Sequence, residues 1–232
     1  MEGDGFMNYL LVVAHPDDEV LGAGATMYEL AKRGHQVDVC ILSGEVEARM
    51  NRPRIDELND DVESATKMLG VNKIYKAKFP NVKFNNVDHL ELVQYIEKIL
   101  LESLADIIIT HHPADTNNDH LHTSLACQAA IRLFQRNPNI KPIKELLFME
   151  VPSSTEWSVN RAMNQFNPNL FVEVGIEAIR KKIEALSLYR GVMRNYPHPR
   201  SNEVLEGLAA YRGGQAGMFY AESFESVFRR NF

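Results

Sequence analysis

The chain has 232 residues, enough for one well-packed domain and short for two. Hydrophobic residues make up 45% and charged residues 24%, which excludes a disordered or fibrous chain. A net charge of −6 without a dominant basic face argues against nucleic acid or an anionic membrane as partner.

The opening Met1-Glu2-Gly3-Asp4-Gly5 is acidic rather than basic, and no apolar run approaches membrane-spanning length. Cys40 and Cys127 fall within apolar segments and read as buried thiols of a reducing compartment. A cytoplasmic protein without membrane insertion is expected.

Tyr9–Ala14 is an aliphatic run of the kind found in buried parallel strands. It stops at His15-Pro16-Asp17-Asp18-Glu19, and a helical pattern follows over Glu19–Arg33, closed by Gly34. A strand over Gln36–Leu42 leads into Ser43-Gly44-Glu45 and a polar loop with Arg49 and Arg54. A carboxylate and guanidinium groups there are candidates for holding sugar hydroxyls or a phosphate, as is Arg200 further on. A helix over Glu57–Leu69 ends at Gly70, then come a strand over Lys73–Phe79, a helix over Leu90–Leu104 and a strand over Asp106–Thr110. Next are a helix over His122–Phe134, a surface connection over Arg136–Ile143 and a strand over Glu145–Val151. Trp157 follows it, as a core residue or a platform for a sugar face. A strand over Leu170–Val174 and a helix over Ile176–Tyr189 complete the pattern. Regular alternation without linkers predicts a single Rossmann-like α/β domain over residues 1–232, its mainly parallel sheet flanked by helices.

Two loops carry the chemistry. His15, Asp17 and Asp18 end the first strand, and the stretch Thr110–Thr123, rich in His and Asp, ends the Asp106–Thr110 strand. Open α/β sheets bind ligands at that edge. An imidazole, a carboxylate and one more histidine make the three-ligand set of a hydrolytic zinc site, with Asp17 left to accept a proton. The competing reading is an acidic turn in which Asp17 or Asp18 caps the next helix. His111 and His112 point to opposite faces of their strand, and His120 and His122 diverge at a helix start, so spacing leaves the third ligand open. Gly22-Ala23-Gly24 mimics part of a dinucleotide fingerprint, but Met27 occupies its third small position and acidic residues intervene.

Ala14–Glu19 and Asp115-Thr116-Asn117-Asn118-Asp119-His120 together resemble the two signature motifs of the LmbE/PIG-L family of zinc-dependent de-N-acetylases, AHPDDE and D-x-N-x-D-H. The similarity extends to Ala65–Gly70, Ala105–His112, Tyr196–Ser201, Arg212-Gly213 and Tyr220–Phe224. The resemblance implies zinc on His15, Asp18 and His120, with Asp17 as general base. It also implies Asp119 as the carboxylate that fixes the His120 ring. Asn117 stands where several relatives carry a histidine that stabilises the oxyanion, which makes His198 a candidate for that role. The expected activity is removal of an N-acetyl group from an N-acetylglucosamine-type sugar or its conjugate, with self-association left open. The alternatives are a zinc amidase on another acyl group or thiol conjugate, and a nucleotide-binding oxidoreductase.

Overall fold

The computed structural model describes residues 5–44, 53–159 and 165–230. Strands β1 (Asn8–Val13), β2 (Gln36–Ile41), β3 (Lys73–Lys76), β4 (Ile107–His111) and β5 (Glu145–Met149) alternate with helices α1 (Asp18–Lys32), α2 (Ile55–Met68), α3 (His89–Ser103) and α4 (Asn118–Ala130). Then come β6 (Leu170–Glu173), α5 (Ile176–Leu188), α6 (Asn202–Ala216) and β7 (Ala221–Arg229). The seven strands form one sheet in the order β3-β2-β1-β4-β5-β7-β6. β1 to β5 run parallel, and β7 is inserted antiparallel between β5 and β6. The strand order reverses between β1 and β4, which opens a crevice at their C-terminal ends.

Alternate residues of each strand feed two cores. Leu11 and Val13 face α1, α2 and α5, whereas Leu10, Val12 and Ile108 face α3 and α4. Burial on both sides explains why these strands read as continuous apolar runs. Gly70 has φ +77°, the left-handed conformation that stops α2. At Gly22 the requirement is close approach, since a Cβ there would lie 2.3 Å from Met149 Sδ on β5. Packing therefore accounts for the glycine that the dinucleotide reading invoked.

α1 is broken at Ala23 (φ −146°, ψ 21°), and the break is served by two buried charges from distant elements. Glu222 on β7 accepts the backbone N–H groups of Ala25 (3.2 Å) and Thr26 (2.7 Å). Lys182 on α5 donates to the Leu21 carbonyl at 2.7 Å and pairs with Glu222 at 2.6 Å. Backbone groups freed by the kink thus find partners, and neither charge is left alone in the core.

The sequence reading stopped short of α6 and β7. Gly207, Gly213 and Gly214 weaken the helical signal of α6, and acidic residues punctuate β7. The other boundaries move by a few residues, most at α4, which starts at Asn118 rather than His122. Asn117 is the reason: its side chain accepts the Asp119 N–H at 2.9 Å and caps the helix four residues early. Cys40 and Cys127 are buried free thiols. No helix among the described residues is long and apolar enough to cross a membrane.

Candidate metal centre

Pro16 and Asp17 occupy the middle of a tight turn closed by the Asp18 N–H on the His15 carbonyl at 3.3 Å. Asp17 takes φ 100° and ψ −25°, close to the third position of a type II turn, where glycine is the favoured residue. A non-glycine residue in such a conformation costs about 1–3 kcal/mol, a strain typical of functional turns. Asp17 sits at the N-cap of α1, yet its side chain makes no capping hydrogen bond. Asp18 lies within the helix and its Oδ2 turns back to the His15 N–H at 2.9 Å. The acidic-cap alternative therefore does not describe this turn.

β4 delivers the facing group. His111 points into the crevice and His112 away from it, against Glu225, Phe148 and Phe166. In the first turn of α4, His120 comes within reach of β1's end. His15 Nδ1 and His120 Nε2 lie 3.3 and 3.2 Å from the same oxygen, Asp18 Oδ2. Tetrahedral ligands about 2.0–2.1 Å from a zinc ion stand roughly 3.3 Å apart, the spacing found here. His120 Nε2 is out of line for a hydrogen bond to Asp18 although the two atoms are this close, an arrangement that leaves its lone pair to an ion.

Each outer nitrogen faces a carboxylate, the usual neighbour of a metal-binding imidazole. Asp119 Oδ2 lies 3.0 Å from His15 Nε2, and Asp115 Oδ2 lies 3.0 Å from His120 Nδ1. This corrects the expectation that Asp119 orients His120. Consecutive helical residues diverge by about 100°, so Asp119 cannot turn back to its own neighbour. It receives instead the N–H groups of Val82 (2.6 Å) and Phe84 (2.9 Å). Asp115 is anchored by the hydroxyls of Ser154 and Thr155, just after β5.

A second group, His111, Asp115 and His120, has the residue types for a cation but not the geometry. The His111 and His120 rings are stacked with centroids 3.8 Å apart and planes 16° apart. Parallel rings direct their in-plane lone pairs side by side rather than to one point. His111 Nε2 already accepts the Ala14 N–H at 2.9 Å.

The electrostatics favour a cation at the first group. Burial alone would raise Asp18, but His120, His15 and His111 hold it well below the usual carboxylate range. Burial would lower His120, yet Asp18 and Asp115 push it up to about 10; His15 is raised against burial by Asp119 and Asp18. Burial pushes His111 down to about 3, so that ring is neutral. Buried carboxylates that keep protons on two imidazoles demand positive charge, which a divalent ion supplies by displacing those protons. His15, Asp18 and His120 therefore fit a zinc-type ion in both geometry and charge.

The group opens into a cleft of about 540 Å³, walled by Asp17, Asn81, Val82, Thr116, Asn117, Asn118, Ser153, Ser154 and Arg200 among others. Arg200 Nη1 is 3.5 Å from Asp17 Oδ2, and its Nε donates to Ser153 Oγ at 2.7 Å. The remaining expected residues are scattered. His198 is half-buried in a turn, where Nδ1 accepts the Arg200 N–H at 3.0 Å, and it is not among the cleft's walls. Asn117 lines the cleft but spends its amide oxygen on the helix cap. Arg54 is exposed at the start of α2, paired with Asp56 at 3.0 Å, and is also absent from the cleft. Glu45 and Arg49 lie outside the described residues. Trp157, read as a core residue or a platform for a sugar face, is 61% exposed on a short turn beyond Ser154 and is not among the cleft's walls. Asp115 as an orienting group, the loop at Asn81–Val82 and the serines after β5 escaped the sequence reading, whereas His111 was one of its candidates for the third ligand. The position of β5 beside β4 was a usable signal for those serines, since its following loop must reach the same crevice.

Residues 10–131 match the PIG-L family, GlcNAc-PI de-N-acetylase. The chain belongs to that family. It is 26% identical over 189 residues to the uncharacterised deacetylase YaiS of Escherichia coli K12, covering 78% of this chain and 89% of that protein. The fold is shared with the N,N'-diacetylchitobiose deacetylase of Pyrococcus horikoshii at 18% identity and TM-score 0.76, over 95% of this chain and 84% of that one. It is shared equally with GalB, the 4-carboxy-2-hydroxymuconate hydratase of Pseudomonas putida KT2440, at 20% identity and TM-score 0.77, over 97% and 98% of the two chains. One fold carrying a deacetylase and a hydratase means that the reaction of this PIG-L family member has to be argued from its site.

Proposed function

We propose that this PIG-L family protein is a zinc-dependent hydrolase that removes the N-acetyl group of an amino sugar of the N-acetylglucosamine type or of its conjugate. The observation that carries this reading is the convergence of His15, Asp18 and His120 on one point, with Asp17 beside them on the cleft wall and not engaged in capping α1. His15, Asp18 and His120 would hold the ion. Zinc there polarises an amide carbonyl and makes water a better nucleophile at neutral pH. Asp17 accepts the proton of the attacking water and returns it to the departing amine. Arg200, 3.5 Å from Asp17, steadies that carboxylate and offers donors to charge that develops on the amide oxygen. Asn117 and Asn118, with Asn81 opposite, supply amide groups along the cleft suited to sugar hydroxyls.

The test is acetate release from a panel of N-acetylhexosamine derivatives by Asp17→Asn and Asp18→Asn variants at rising zinc concentration. Asp17→Asn should bind zinc normally and lose about a hundredfold or more in turnover, with no rescue by metal. Asp18→Asn should bind zinc weakly and regain activity as zinc is added, since an amide oxygen is a poorer ligand. Rescue of the Asp17 variant, or its retention of full turnover, refutes this division of roles. No acetate release from this panel, with acid released from sugars that carry another N-acyl group, identifies an amidase for that group.

A further inference from the structure

Glu19 ends the first motif and has no part in the reaction described above. It is completely buried and is absent from the cleft walls. Its two oxygens nevertheless join two distant parts of the molecule. Oε1 accepts the hydroxyl of Tyr189, a core residue just after α5, and Oε2 accepts the backbone N–H of Asp17 at 3.1 Å. Asp17 is the residue whose left-handed backbone, at φ 100°, places its carboxylate on the cleft wall beside Arg200.

We infer that Glu19 is a positioning residue: tethered by Tyr189, it clamps the Asp17 backbone in the left-handed conformation that directs the base into the cleft. This rests on the reading of Asp17 as general base.

Three features of the turn support the clamp. An L-residue at this turn position tends to relax toward negative φ, and such a flip re-aims its side chain. An acceptor on the Asp17 N–H opposes that flip, because rotating the peptide would withdraw the N–H from it. The acceptor must itself be immobile, and the hydroxyl of the buried Tyr189, just after α5, makes it so. Misplacing a base by about 1 Å is enough to cost on the order of a hundredfold in rate. The clamp needs an acceptor at Oε2 and a partner for Tyr189, not a negative charge. A glutamine side chain provides both, accepting from Asp17 and donating to the tyrosine oxygen.

The experiment uses the zinc-loaded full chain and compares Glu19→Leu, Glu19→Gln and Tyr189→Phe with Asp17→Asn. The readouts are kcat and KM for acetate release, zinc stoichiometry and a crystal structure of each variant. Glu19→Leu should keep about one zinc per chain and an unchanged KM, lose roughly ten- to a hundredfold in kcat, and show Asp17 at negative φ. Glu19→Gln should stay within about threefold of the parent with Asp17 still left-handed. Tyr189→Phe should lose about three- to tenfold in kcat alone. In the Asp17→Asn background Glu19→Leu should cost nothing further, because no base remains to be placed. A merely structural role predicts instead lower stability of Glu19→Leu and Tyr189→Phe with kcat unchanged, and that result overturns the proposal. So does an inactive, zinc-loaded Glu19→Gln, which would make the charge the essential property. If Glu19→Leu does not fold, an unchanged kcat in Tyr189→Phe is sufficient to overturn it. Full activity in Asp17→Asn would instead remove the functional reading on which the clamp rests.

Discussion

β1 and β4 lie side by side, and both of their ends hold buried carboxylates in opposite circumstances. At the N-terminal end, Asp106 accepts the Asn8 N–H at 3.0 Å and meets Lys141 and Lys144 at 2.6 and 3.3 Å. Burial alone would raise its pKa, but Lys141, the Asn8 N–H and Lys144 bring it below the usual value. At the C-terminal end, Asp18, Asp115 and Asp119 are all buried among histidines, and no lysine pairs with them among the described residues. A carboxylate that stabilises the fold brings its counter-charge in the chain. The carboxylates of the site face imidazoles instead, and under the proposed reading an ion from outside would take the place of their protons.

The comparison breaks most visibly at the ligands. His120→Ala should lose its zinc and its turnover to background, whereas His122→Ala, two helical positions on, should keep both. Metal analysis of the two purified variants decides this, and full zinc in His120→Ala would remove the assignment. Smaller effects are expected one step outward. Asp115→Asn and Asp119→Asn should each weaken zinc about ten- to a hundredfold, measured by competition with a chelator. Equal effects would sharpen the picture of two separate carboxylate–histidine pairs, one for His120 and one for His15.

The smallest effect on activity belongs to the other end of the strands. Asp106→Asn should leave kcat and zinc content unchanged while lowering stability by about 2 kcal/mol near neutral pH, the worth of a charged hydrogen bond. The folded pKa of Asp106 is depressed, so its stabilisation is present above the unfolded pKa of about 3.9 and disappears as pH falls through the folded value. Urea unfolding of parent and variant should therefore differ at pH 7 and converge toward pH 3. A difference that persists in acid would mean that packing, not charge, holds Asp106.

Much of this was legible in the residues. Apolar runs, helix stops at Gly34 and Gly70 and the strand–helix alternation identify the parallel part of the sheet, because each of these signals is local. The turn bearing His15, Asp17 and Asp18 was legible for the same reason, since a strand must end there. Which carboxylate meets which imidazole was not, because Asp119 reaches His15 across 104 positions of sequence. Arg200 was a candidate from the sequence, but its place beside Asp17, like that of the serines after β5, follows from loop geometry that carries no periodic signal. β7 was missed because its partners β5 and β6 are set by long-range pairing, not by a pattern of its own.

The kink in α1 also has a consequence for the order in which the molecule is completed. The N–H groups of Ala25 and Thr26 find their carboxylate on Glu222, 197 and 196 residues further along. At ribosomal rates of about 5–20 residues per second, roughly ten to forty seconds separate the emergence of the helix from that of its clamp. During that interval the part of α1 just past its kink carries two donors that β7 has yet to satisfy, and Lys182 arrives before the acid that neutralises it. The kinked helix is therefore completed by the last strand of the chain, after the parallel strands beneath it have had time to pair.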